Sequence, residues 1–68
     1  MSKKELETYM LETFTSEFAK KITDALDLTV KDDIMAVTDS QIDNLVLMDG
    51  QKYAFKRMRD RLIRDHDG

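Results

Sequence analysis

Sixty-eight residues allow one small domain, covering 1–68, and no second one. The absence of cysteine excludes disulfides and thiolate metal sites, and 41% hydrophobic with 37% charged residues excludes a disordered chain. The net charge of −3 is uneven: 1–50 carry five basic and eleven acidic side chains, 51–68 six basic and three acidic, so an acidic body ends in a basic segment suited to an acidic partner.

No run approaches the roughly 18 apolar residues of a membrane span. The opening MSKKELETYM lacks the apolar stretch of a signal peptide. A soluble, cytoplasmic protein with no membrane partner is expected. There is no proline, and the two glycines are Gly50 and Gly68, so the chain should be mostly helical.

In the first third, Leu6, Met10, Phe14, Phe18, Ile22 and Leu26 recur every four residues. On one straight helix such a stripe drifts about 40° per step and about 200° over five steps, too far for one buried face. A break in TFTSE is therefore expected, with helices near 3–13 and 16–26; one bent helix is the alternative. Thr15 or Ser16 can cap the second helix, with Glu17 favourable in its first turn.

LDLTV alternates Leu26, Leu28 and Val30, too short for a sheet, and reads as a connection that tucks Leu28 and Val30 inward. KDDIMAV offers Asp32 or Asp33 as a cap for one helical turn, and TDSQIDNLVL offers Thr38 or Asp39. Ile42, Leu45 and Val46 follow at i, i+3 and i+4.

The last segment predicts a longer helix capped by Asp49, with Met48 packing onto Tyr53 as a hydrophobic staple. A helical wheel places Ala54, Phe55, Met58 and Leu62 in one arc of about 100°. Lys52, Lys56 and Arg59 flank it on one side, and Arg57, Arg61 and Arg64 on the other; Tyr53, Asp60 and Ile63 fall outward. The ends, 1–3 and 65–68, are expected to fray. Gly50 reads most simply as a turn glycine that relieves a strained φ.

Little here points to catalysis. The single histidine, His66, stands near the chain end. Asp39, Asp43 and Asp49 invite a calcium loop, but counting from Asp39 puts Asn44 at the sixth position and Gly50 at the twelfth, where glycine and glutamate are needed. The aspartates read as caps and solvated face. Met35, Met48 and Met58 read as packing around the short helices. No enzyme, metal site or cofactor is expected.

The stretch VTDSQIDNLVLMDGQKYAFKRMRDRL resembles the sterile alpha motif (SAM) domain. Val37 and Thr38 stand at its opening, Ile42 and Leu45 at its leucines, Val46 and Leu47 at its Gly-Ile pair, and Gly50, Gln51 and Lys52 at its Gly-His-Arg. The turn is one residue shorter, Gln41 replaces the acid, and the first helix has no tryptophan. The resemblance implies a compact all-α domain of four or five helices with a longer C-terminal helix. It also implies a protein-interaction or regulatory role. Its basic face would be Lys52, Lys56 and Arg57; on the last helix as a whole, the partner-binding residues expected are Lys52, Tyr53, Lys56, Arg57, Arg59 and Arg64. An acidic self-association face would be Asp32, Asp33, Asp39 and Asp43, meeting the basic face of another copy in a homo-oligomer.

The same region also resembles the helix-hairpin-helix, a nucleic-acid backbone binder. Gly50 and Ala54 have its spacing and Lys52 is placed to meet a phosphate, while Met48 stands at its first glycine. Nucleic-acid binding is thus the runner-up to a protein partner, and a self-assembling structural subunit is the third reading.

Overall fold

The computed structural model describes residues 2–67, with side chains from 4 to 67. Five helices follow one another: α1 (Ser2–Leu11), α2 (Ser16–Ala25), a 3-10 helix (Lys31–Ala36), α3 (Asp39–Asp43) and α4 (Asp49–Asp67). Among the described residues there is no strand. The all-α class with a long final helix is as the sequence predicts, and the first third forms two helices.

The break works as the four-residue spacing demands. α1 closes when the Phe14 and Thr13 amides both donate to Met10 O, at 2.9 and 3.1 Å. Thr15 then turns extended (φ −69°, ψ 162°) and its hydroxyl accepts from Phe18 N at 3.4 Å as the N-cap of α2. Re-phasing the chain lets Leu6, Met10 and Phe14 enter the core from one side and Ala19 and Ile22 from the other, while Phe18 and Leu26 stay half-buried.

α2 ends in a Schellman motif. Leu28 N donates to Thr23 O at 2.9 Å and Asp27 N to Asp24 O at 3.4 Å. Asp27 takes the left-handed conformation (φ 55°) that glycine usually fills there. Leu28 is buried as expected, but Val30 is only half-buried, because it serves as the N-cap of the 3-10 helix. Neither of the two expected aspartates is the N-cap; Asp33 lies inside the helix at its third position. It reaches back to accept from the Thr29 amide (2.9 Å), the Thr29 hydroxyl (2.8 Å) and the Val30 amide (3.1 Å). These bonds hold its carboxyl below the ordinary aspartate value, the Thr29 amide contributing most.

Thr38 caps α3 in a reciprocal box: its hydroxyl accepts from Gln41 N at 3.2 Å while Gln41 Oε1 accepts from Thr38 N at 2.9 Å. α4 buries Phe55, Met58 and Leu62, with Ala54 half-buried, as the helical wheel places them. α4 packs on the 3-10 helix and α3, and α1 packs on α2 and the 3-10 helix. Ile34 and Ile42, both fully buried, anchor the two short helices between them. The Tyr9 hydroxyl donates to Met58 O at 3.2 Å, tying α1 directly to α4, and burial pushes that phenol up from its ordinary value.

Three expectations around α4 need correction. Asp49 lies inside the helix, so Met48 is the residue before it, its amide bonded to Gln51 Oε1 at 3.1 Å. Met48 is 77% exposed, so it neither staples onto Tyr53 nor joins Met35 and Met58 in the interior. Gly50 has no positive φ; it sits in the first turn of α4, and a Cβ there would meet nothing within 4 Å. Of the ends expected to fray, residues 1 and 68 lie outside the described residues; α1 begins at Ser2 and α4 continues to Asp67.

Candidate interaction face

α4 presents two different basic surfaces. The first faces α3. Lys52 Nζ donates to Asp43 O at 2.8 Å, satisfying a carbonyl that the end of α3 leaves without an intrahelical partner. Lys56 Nζ lies 2.9 Å from Asp43 Oδ1. The Arg59 guanidinium lies 2.7 Å from Asp39 Oδ1 and 3.0 Å from Asp60 Oδ1, and donates to Val37 O at 3.0 Å. The Arg59 side chain is 12% exposed, against 30% for that of Lys56.

Titration behaviour follows this geometry. The hydrogen bond from Lys56 holds Asp43 below the ordinary aspartate value, and the same bond raises Lys56. Burial pulls Arg59 down, but its bonds to Asp39 and Asp60 prevail and raise it.

Of the predicted acidic residues, then, Asp39 and Asp43 meet α4 of their own chain, and Asp33 is occupied with Thr29 and Val30. Asp32 is exposed and makes no ion pair among the described residues. Contacts that the SAM resemblance implies between molecules occupy many of the same groups within one molecule. Val46 and Leu47, aligned to the Gly-Ile pair, differ in burial: Val46 is fully exposed and Leu47 packs against the core.

The second surface is the outer side of α4. Tyr53 is 60% exposed, and the Arg57 guanidinium lies 5.7 Å from its ring centroid. Arg57, Asp60, Arg61 and Arg64 line a shallow depression beyond it. Among the described residues, Arg57, Arg61 and Arg64 have no carboxylate partner within 4.0 Å, Asp60 being turned to Arg59. The predicted partner set thus divides: Tyr53, Arg57 and Arg64 share this open face, whereas Lys52, Lys56 and Arg59 are committed to α3. Arg61 belongs with the open set; its position four residues after Arg57 and three before Arg64 was the available signal.

The helix-hairpin-helix geometry is also altered at its key residues. Lys52 is engaged with the Asp43 carbonyl, and Gly50 does not form the hairpin turn. Among the described residues, no three His, Cys, Asp or Glu side chains converge as a metal-binding set, and no helix is long and apolar enough to cross a membrane. No known protein family matches this chain, and neither a curated protein nor a solved structure does.

Proposed function

We propose that this chain is a non-enzymatic interaction module that docks an acidic segment of a partner protein on the outer face of α4. The carrying observation is the division of basic residues along that helix. Lys52, Lys56 and Arg59 fasten α3, while Arg57, Arg61 and Arg64 are exposed and, among the described residues, have no carboxylate within 4.0 Å, the neighbouring Asp60 being paired with Arg59. Tyr53 supplies an aromatic surface within that cationic strip, a residue type enriched in contact hot spots along with arginine. A SAM-like role as a regulatory module agrees with the element order, and a cytoplasmic setting suits a chain without cysteine.

Nucleic-acid binding is the second reading, since the same three arginines would meet phosphates. It is disfavoured by the engaged Lys52 and by an acidic body that repels a polyanion. Fluorescence anisotropy separates the two: a labelled Glu/Leu peptide and a labelled short DNA duplex are each titrated with the protein at physiological salt. The peptide should bind more tightly, and Arg57→Glu/Arg61→Glu should weaken it at least tenfold with helix content unchanged. Tighter binding of the duplex would replace this reading with the nucleic-acid one. Unaltered peptide binding by the double variant would remove α4 as the docking face.

A further inference from the structure

On the opposite side of the sequence, away from α4, a groove of about 640 Å³ runs between α1, α2 and the connection that follows them. Leu6, Ala19 and Leu28 form its apolar floor. Glu7, Asp24 and Asp27 stand on its rim against Lys20, the one cation among the described residues that line it. Among the described residues none of these three carboxylates makes an ion pair, whereas the nearby Glu17 is matched with Lys21 at 3.9 Å.

The placement of those acids is electrostatically unfavourable for the chain alone. The C-terminal end of a helix carries partial negative charge and favours Lys or Arg in its last turn. α2 has no basic residue there. It has Asp24 in the last turn and Asp27 two residues past its end, so two carboxylates add to the negative end of α2 at the mouth of the groove. A cation arriving from outside would relieve that repulsion and the exposed charge of Glu7 together, while an apolar side chain beside the cation would cover the floor.

From this complementarity we infer that the groove between α1 and α2 docks a basic segment of a partner protein, in which Lys or Arg alternates with apolar residues. The site is separate from the outer face of α4 and takes the opposite charge. Two faces of opposite preference in one small domain would let it bridge an acidic and a basic element.

The test uses the peptide acetyl-Lys-Leu-Lys-Ala-Lys-Leu-Lys-Ala-amide and its Glu-for-Lys counterpart, each titrated into nitrogen-15-labelled protein and followed by amide shifts. The lysine peptide should move the amides of Glu7, Ala19, Asp24 and Leu28 and leave those of Arg57 and Arg61 in place; the glutamate peptide should not move the groove amides. Glu7→Lys/Asp24→Lys should weaken the lysine peptide at least tenfold and should raise, not lower, the melting temperature, because it supplies the last turn of α2 with a cation. Equal affinity in that variant, or shifts centred on Asp32 and Asp39 instead, would overturn the assignment. Groove shifts that grow with protein concentration in the absence of peptide would assign the groove to a second copy and also overturn it. Every one of these readouts is independent of whether α4 binds acidic peptides.

Discussion

Arg59 donates to the backbone oxygen of Val37, 22 residues earlier in the chain, at 3.0 Å. The bond joins the middle of α4 to the residue that ends the 3-10 helix, and Asp39 grips the same guanidinium at 2.7 Å. Val37 is itself buried at 6% exposure, so removing the donor leaves its carbonyl poorly supplied. Arg59→Ala should cost about 2 kcal/mol in urea unfolding, in the range for a hydrogen bond to a charged group. Arg59→Lys should recover less than half, since an ammonium cannot span two acceptors as the planar fork does. A loss below about 0.5 kcal/mol for the alanine variant would mean the bond contributes little beyond its solvated alternative.

Phe55 is fully buried and its ring centroid lies 6.2 Å from that of Phe14, tilted by 37°. This pair connects the end of the first helical segment to α4. Phe55→Ala should destabilise by about 3–5 kcal/mol through a cavity at the centre of a small core. A double-mutant cycle with Phe14→Leu and Phe55→Leu should return a coupling of about 0.5–1.5 kcal/mol for the ring pair. Additive single variants would show that the rings are neighbours without an aromatic contribution of their own.

Glycine and aspartate occupy each other's natural positions at two turns. Gly50 lies in the first turn of α4 with open space where a Cβ would point and no positive φ, whereas Asp27 holds φ 55° at the end of α2. Gly50→Ala should therefore stabilise by about 0.5–1 kcal/mol, through helix propensity and a less flexible unfolded chain. Asp27→Gly should stabilise by a similar amount, about 0.5–1 kcal/mol, because glycine accepts the left-handed region and the negative end of α2 loses a carboxylate. Thermal melts of both variants give the sign directly, and a lowered melting temperature for Gly50→Ala would restore a turn role to that glycine.

The helices and the buried stripe are readable in the sequence because each depends on neighbours along the chain. Leu6, Met10 and Phe14, then Phe55, Met58 and Leu62, carry their helical period openly, and the Thr38–Gln41 box is a local spacing. The charge partners are not readable in this way. Whether Lys56 faces solvent or Asp43 depends on how α3 lies against α4, which no spacing within either helix records. The wheel correctly put Lys52, Lys56 and Arg59 on one flank, yet could not say that α3 covers that flank. Gly50 misled for a related reason: a glycine after a short helix signals a turn, but its φ is set by where the next helix begins. The rim of the groove was legible as composition alone, and Glu7, Asp24 and Asp27 converge only once α1 folds back on α2.

Asp43 and Lys56 give the fold a pH dependence with a definite sign. The hydrogen bond between them lowers Asp43 from 3.8 and raises Lys56 from 10.5. A carboxylate with a lowered folded pKa contributes stability above its unfolded value and loses it as pH falls through the folded one. A lysine with a raised folded pKa contributes below its unfolded value and loses it as pH rises through the folded one. The pair should therefore contribute steadily between the ordinary values of 3.8 and 10.5 and fade beyond each end. Asp33, lowered by the Thr29 and Val30 bonds, adds to the acid side. Carbon-13 titration of the side-chain carboxyls should place the midpoints of Asp33 and Asp43 below 3.8. Asp43→Asn and Lys56→Met should each flatten the same part of the acid limb of the urea midpoint against pH and part of the alkaline limb, since either change removes the one bond that shifts both groups. An acid limb unchanged in both variants would move the source of acid sensitivity to Asp33 and the start of the 3-10 helix.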